Sequence, residues 1–542
     1  MPDRKPFLAP LSHQTFRNIW FASIFSNLGG LIQGVGAAWM MTSITSSENM
    51  VALVQASTTL PIMLFSLIAG AIADNFDRRQ VMLVAQSFMF SVSTLLAAIT
   101  YLGWISPWLL LAFTFLIGCG TALNNPAWQA SVGDMVPRED VSGAVSLNSM
   151  GFNLTRSVGP AIGGGIVAFA GAAAAFTANA SSYLALIITL LRWKTVKPAG
   201  ALPREEIGQA VLAGLRYVSM SPNLLKVFVR SFVFGFSAVA ILALLPIVAR
   251  DMMGGGPLTY GLMLGGFGFG AVIGAYLNTG LRERLTSENI VRCAFAGFAI
   301  SEAIIAASSS VISIAAAVVL AGACWVIALS LFNTIVQLST PRWVVGRALS
   351  LYQTATFGGM AAGSWLWGSL AETYGVGNAF SLAAIFVASG VLIGWVLPMP
   401  LFASLDLDPL NTFREPELQL EIVPRSGPIA IHIVYDIRDE DLPEFLDLMA
   451  ERRRIRIRDG AQAWALMRDL ENPGKWTETY HTPTWVDYVR HNIRRTKADA
   501  ENYERLRGLH QGAAPPKVHR MIERQVIPAA GDVFHQAQIE PH

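Results

Sequence analysis

Of the chain's 542 residues, 53% are hydrophobic and 14% charged, against roughly 25% charged in a typical soluble domain. The formal charge of +2 at neutral pH lacks the concentrated basic face that nucleic acid requires, so no nucleic-acid partner is expected. Charge is also segregated: 19 of the 39 Lys and Arg and 23 of the 37 Asp and Glu fall after residue 400, leaving a nearly uncharged body and a water-compatible tail.

Arg4, Lys5 and Arg17 precede the first apolar run, whose extent over 16–44 exceeds a cleavable signal core and predicts an uncleaved first span. Stretches of about 20 apolar residues predict twelve membrane helices. They fall near 17–42, 50–73, 81–101, 108–131, 144–170, 173–193, 227–249, 257–279, 289–307, 310–335, 348–371 and 376–398. The even-numbered connections carry Arg78 and Arg79; Arg138; Lys194, Lys197, Arg204, Arg216 and Lys226; Arg282 and Arg284; Arg342 and Arg347. The odd-numbered ones carry only Arg250. The positive-inside bias places the even connections, both termini and the tail in the cytoplasm, with the protein multi-pass in a membrane. Cys119, Cys293 and Cys324 each lie in an apolar run without metal-ligand spacing and read as small buried hydrophobes. No metal or cofactor is implied, and no G-x-x-x-x-G-K loop for ATP appears.

An internal repeat runs through the body. GAIADNFDRR at Gly70 returns as GAYLNTGLRER at Gly274, an offset of 274 − 70 = 204. The same offset aligns PREDVSGAVSL at Pro137 with PRWVVGRALSL at Pro341, Gly159 with Gly363, and Gly164 with Gly368. The expected organisation is a six-helix half over 1–193, a linker over 194–226, a second half over 227–400, a linker over 401–427, a soluble domain over 428–525 and a tail over 526–542. Within the first linker, Ile207, Val211, Leu212, Leu215 and Val218 are spaced as the apolar face of an amphipathic helix, lying on the membrane or against the bundle.

Two parallel six-helix repeats are the plan of the major facilitator transporters. Residues 10–400 resemble that superfamily, and more narrowly its bacterial transmembrane secretion effector branch, which includes the enterobactin exporter. The resemblance implies a secondary transporter and not an enzyme. Gly70, Asp74, Arg78 and Arg79 match the family's loop between the second and third helices; Asn75 and Asp77 depart from it. The family role implies that Asp74 and Arg78 latch the two halves at the cytoplasmic side; the alternative is a solvated turn that only fixes topology. Gly159, Pro160, Gly163 and Gly164 resemble the fifth-helix signature of exporters and antiporters, with Thr155 in place of its first Gly. Close helix packing by small residues would need the same pattern.

Arg156 lies in that fifth span, where a charge costs on the order of 2.5–3.5 kcal/mol unless it faces the bundle or a wet cavity. It is a candidate for binding an anionic substrate group, or for pairing with Asp134, Glu139 or Asp140. Glu302 lies well inside the ninth span; desolvation would equip it to carry a proton, while a partner helix would make it structural. Thr114 and Ile117 stand in the fourth span where proton-linked relatives commonly carry Arg and Gln. Asn27, Gln33, Asn124, Asn125 and Asn153 are candidates for lining a central cavity, or equally for tying helices together.

The tail reads as βαββαβ, which is ferredoxin-like. It resembles the small dimeric α/β barrel of antibiotic-biosynthesis monooxygenases, which implies a possible homodimer. His432, His481 and His491 with Trp464, Trp476 and Trp485 form no nucleophile–base pair, so a regulatory or dimerising module is expected. The ERRRIRIR run reads as a solvated helix face or a contact for anionic headgroups. Taken together, the expectation is a proton-coupled exporter of a small amphiphilic molecule such as a siderophore, drug or secondary metabolite, with an importer on the same fold or a bifunctional oxygenase as alternatives.

Overall fold

The computed structural model describes residues 8–137, 139–193, 207–341, 343–400, 407, 410 and 412–523, without the side chains of Asp74, Asn75, Ser142 and Ile207. Arg4, Lys5, Arg138, Arg342, the stretch 194–206, most of the 401–411 segment and the end of the chain lie outside the described residues. The chain divides into two compact units. The first comprises Met1–Ala199, Asn223–Val336 and Leu349–Phe402; the second comprises Gly200–Pro222, Gln337–Ala348 and Ala403–His542.

The first unit is all helical. Its elements are α1 (Gln14–Ile44), α2 (Glu48–Asn75), α3 (Arg78–Tyr101), α4 (Pro107–Met135), α5 (Val141–Arg192), α7 (Pro222–Ile247), α8 (Pro257–Arg284), α9 (Ser287–Ala307), α10 (Val311–Leu338), α11 (Val345–Tyr374) and α12 (Val376–Val396), with α6 (Ile207–Ser219) falling in the second unit. Helix starts are chemically marked. Ser47, Asp77, Ser106 and Thr286 accept hydrogen bonds from first-turn amides, and Pro107 and Pro257 open α4 and α8. Ten helices among the described residues are long and apolar enough to cross a membrane. One of these is α5, whose 52 residues break at Gly171 with φ 81°, a left-handed conformation that suits glycine. The two spans expected over 144–170 and 173–193 are therefore separated by a single-residue break. The 30-residue α11 is not among the ten, since serines, threonines and Glu372 dilute its apolar content.

Cysteine burial differs from expectation. Cys324 is buried and Cys119 half-buried, but Cys293 is exposed on the outer surface of α9. In an apolar helix the outer face is as apolar as the core, so composition alone does not separate the two.

The second unit holds α6, the 337–348 segment and the tail domain: β1 (Ile429–Asp436), α13 (Leu442–Asp459), β2 (Gln462–Arg468), β3 (Lys475–Thr482), α14 (Trp485–Ile493), α15 (Lys497–Leu509) and β4 (Lys517–Ile522). The strands form one antiparallel sheet in the order β2-β3-β1-β4, the ferredoxin-like order. Strand β1 alternates buried and half-buried positions, sending Ile429, Ile431, Ile433 and Tyr435 into a core with Phe445, Leu448 and Val489. The α6 helix forms as expected, with a shifted apolar face: Ala210, Ala213, Tyr217 and Val218 are buried, while Leu212 and Leu215 are exposed. Its buried face packs within the second unit, where Arg458 lies 5.7 Å from the ring of Tyr217.

Candidate transport site

Among the described residues, two close helix seams join α1–α5 to α7–α12. In the seam of α5 with α8, an added Cβ on Gly164 would stand 2.7 Å from the carbonyl oxygen of Pro257, and one on Gly268 would stand 2.4 Å from that of Arg156. These helices touch through their backbones, as small residues at close spacing permit. Gly159 and Gly163 instead face α1, meeting Leu31 and Ile32. The fifth-helix motif thus serves two neighbours at once, and buried Pro160 lies on the α8 side, its carbonyl 2.5 Å from a Cβ added to Gly261.

The second seam runs between α2 and α11. Gly70 faces Ser350, at 3.1 Å from an added Cβ to its hydroxyl. Ser66 donates to the carbonyl of Ser350 at 3.1 Å and shares a 3.0 Å hydrogen bond with the hydroxyl of Thr354. At the far end, Glu372 accepts from the Ser47 hydroxyl at 2.8 Å and the Asn49 amide at 3.2 Å. Near the same end, Arg250 donates to the carbonyl of Thr42 at 2.9 Å.

Three charged residues with described side chains closely follow Gly70. Arg78 donates to the Ala130 carbonyl and to Asp134, both at 2.8 Å, on α4. Arg79 donates to the carbonyls of Leu190 and Leu191, closing the end of α5. Asp77 caps α3. The Asp74 side chain lies outside the described residues. Gly70 of this motif meets α11, and Ser66, one turn earlier, makes a polar contact there.

Arg156 is half-buried, with its guanidinium 5.7 Å from the ring of Phe267 on α8. Two of the acidic residues expected as alternatives have other partners: Asp134 pairs with Arg78, and Asp140 with His13 at 2.9 Å. On α5, Ser149, Phe152 and Arg156 form a strip on the side away from the exposed apolar residues Leu154, Val158 and Ile162. Helix α1 shows the same division. Phe21 and Phe25 are exposed on one side; Asn27, Gly30 and Gly34 are open on the opposite side, and added Cβ atoms on the two glycines would meet nothing within 4 Å. On α4, Leu109 and Leu116 are exposed on one side and Asn125, Gln129 and Gly133 on the other. Helices exposed on two opposite faces, one apolar and one polar, suit a bundle with lipid outside and a wet groove inside.

The other polar candidates divide. Gln33 is a structural tie: it accepts from Ser93 at 3.2 Å and from Asn179, linking α1, α3 and α5 in the interior. Asn124 accepts from Gln86 at 3.1 Å. Asn153 donates to the carbonyl of Ser149 one turn back, at 2.9 Å. Glu302 on α9 is fully buried, and neither carboxylate oxygen has a hydrogen-bond partner among the described residues. An unpartnered buried carboxylate is costly to ionise.

Sequence reasoning missed Arg230, which is fully buried on α7 and donates to both oxygens of Glu288 at 3.1 and 3.0 Å and to the Leu397 carbonyl at 3.1 Å. Glu288 also accepts from Arg292 at 2.9 Å. It also missed the glycines of α8; the small-residue spacing of Gly261 and Gly265 was the available signal.

Residues 6–526 match the family described as transmembrane secretion effector. The chain belongs to that family. It is similar to the staphyloferrin A transporter of Staphylococcus aureus, 27% identical over 45% of this chain and 62% of that protein. It is also similar to the multidrug efflux pump Tap of Mycolicibacterium fortuitum, 28% identical over 38% of this chain and 52% of that protein. The chain thus spans between half and two thirds of these two relatives. Among solved structures, it resembles a bacterial homologue of the lysosomal transporter Spinster in an inward-facing, unoccupied conformation, with a TM-score of 0.55, 12% identity, and coverage of 72% of this chain and 96% of that one. A POT family transporter in complex with 5-aminolevulinic acid gives a TM-score of 0.58 at 14% identity, covering 73% and 98%. At these identities the structural likeness concerns the fold alone, that of a major facilitator transporter. Family and relatives alike mark a transporter and not an enzyme.

Proposed function

We propose that this protein is a proton-coupled secondary exporter that moves a small amphiphilic molecule, of siderophore, drug or secondary-metabolite class, from cytoplasm to periplasm by alternating access. The observation that carries the reading is Arg156, a charge on the inward strip of α5 with an aromatic ring rather than a carboxylate beside it. The open polar sides of α1 and α4, with Asn27 and Asn125, supply the remaining wall for a substrate with both apolar and anionic parts. Glu302 is the proton carrier in this reading, because its buried carboxylate has no competing partner among the described residues. The relatives, a staphyloferrin A transporter and a multidrug efflux pump, support the substrate class.

In the same reading the body has twelve spans in two repeats, with both termini and the tail cytoplasmic in the inner membrane. Splitting α5 at Gly171 and adding α11 raises the ten apolar helices to twelve. The repeat has support in contacts. Gly164 closes on the start of α8, and Gly368, at 368 − 164 = 204, closes on Asn49 and Ala52 at the start of α2. Arg78 donates to Ala130; Arg282, at 282 − 78 = 204, donates to Thr334, at 334 − 130 = 204. The tail is a regulatory or dimerising module.

The test is flux in proteoliposomes of defined orientation under an imposed pH gradient, with substrates chosen by an efflux screen of a deletion strain. Saturable, gradient-driven export that falls at least tenfold in Arg156→Gln for anionic substrates supports the reading. Flux in the opposite direction would reverse the assignment to an importer, and flux indifferent to the gradient would remove the proton.

A further inference from the structure

The tail domain buries more positive charge than it neutralises. Arg452 and Arg456, one turn apart on α13, are 3% and 2% exposed. Both turn toward Glu478 of β3, which is fully buried: Arg456 donates to it at 3.0 Å, and Arg452 lies 3.7 Å away, beyond hydrogen-bond range. The arginine run expected to be a solvated face is thus divided, because these two positions continue the core-facing spacing of Phe445, Leu448 and Met449.

The acceptor side is already full. Glu478 also receives the hydroxyl of Tyr435 at 3.0 Å and the indole N–H of Trp464 at 3.1 Å. His491 accepts from Arg456 through Nε2 at 3.0 Å; since arginine only donates, this ring is neutral. Burial first, then Arg456, Arg495 and Arg494, push its pKa well below the ordinary value. A third guanidinium, Arg495, has a neutral partner in Asn492. Burial, reinforced by Arg456 and Arg452, pulls its pKa down to about 10. The Nε of Arg452 and the Nη2 of Arg456 are buried donors without acceptors among the described residues.

Among the described residues the cluster therefore holds two buried guanidiniums, a third half-buried one at Arg495, one carboxylate and two orphaned N–H groups, where unpaired buried charge is expensive. The other nearby carboxylates are committed: Asp459 and Asp499 to Arg458, and Glu451 to Asn502. Planar guanidinium forks are suited to bidentate oxyanions.

We propose that Arg452, Arg456 and Arg495 form a binding site for a small free oxyanion of carboxylate or phosphate type, inside the tail domain. Burial favours a soluble anion over a lipid headgroup. The site also adjoins another segment of the second unit. Next to Arg495, Arg494 donates to the Asp459 carbonyl at 3.2 Å and lies 4.1 Å from the ring of Trp343, in the segment between α10 and α11.

The test uses the full chain in detergent, followed by thermal unfolding with sodium benzoate, phosphate or sulfate against sodium chloride at equal ionic strength. One or more of these oxyanions should stabilise saturably over chloride, with the apparent Kd at least tenfold weaker in Arg452→Gln and Arg495→Gln. If Arg452→Gln fails to fold, Arg495→Lys decides, since it keeps the charge and loses the fork: a tenfold weakening supports the site and an unchanged Kd overturns it. No preference over chloride, or stabilisation only by phosphatidic-acid vesicles, also overturns the proposal.

Discussion

Gly164 and Gly261 meet backbone to backbone: an added Cβ on Gly261 would stand 2.8 Å from the Cα of Gly164. Main-chain atoms at that distance have no rotamer through which to yield. Gly261→Val is expected to destabilise the bundle by about 1–3 kcal/mol through overpacking. Thermal unfolding in detergent checks this, with Gly30→Ala as the control, because the space beside Gly30 is open. Equal melting temperatures in both variants would mean that the α5–α8 contact is looser than described.

The Ser66–Thr354 hydrogen bond at 3.0 Å offers a direct probe of alternating access. Ser66→Cys combined with Thr354→Cys, in a background without Cys119, Cys293 and Cys324, should form a disulfide, which needs Cβ atoms about 3.5–4.5 Å apart. Oxidation should stop transport and reductant should restore it. Transport that continues with the disulfide formed would show that α2 and α11 do not separate at this point during the cycle.

Glu302→Gln keeps the shape of the buried side chain and removes its proton exchange. Transport should lose its dependence on an imposed pH gradient while substrate binding stays within about threefold, read by flux and by binding to detergent-solubilised protein. Retained proton coupling would reassign Glu302 to a packing role.

Glu478 gives the tail a defined acid response. Burial acts to raise its pKa, but Arg456 and Arg452 outweigh that effect and hold it at about 2, below the ordinary value of about 4.3. A depressed folded pKa means the stabilisation is complete above the unfolded value and is lost as pH falls through the folded one. Tail stability, followed by tryptophan fluorescence of the full chain, should therefore decline between about pH 4.3 and about pH 2. Glu478→Gln should cost about 3–5 kcal/mol at neutral pH by leaving the arginines uncompensated. A variant as stable as the parent would show that solvent already screens the cluster.

What was readable before folding follows from the range of each interaction. Span positions follow from local hydropathy, and the tail's strand order follows from alternation and short turns. Arg452 and Arg456 were misread as solvated because composition outweighed spacing, although Phe445, Leu448 and Met449 already marked that face of α13. The partners of Arg78 were illegible for another reason. An arginine near a helix end can reach several neighbours, and only packing selects Ala130 and Asp134. The Ser66–Thr354 pair joins positions 288 apart, and neither residue carries a local sign of it.

Helix α11 belongs to both units of the chain. Its first residues, through Ala348, group with the tail domain, and the remainder carries Ser350, Thr354 and Glu372 to the seam with α2. A continuous helix acts as a rod over this length, so tilt at one end is tilt at the other. The contacts of Ser350, Thr354 and Glu372 with α2 therefore sit along one stiff lever, and the seam should part at all of them together rather than contact by contact.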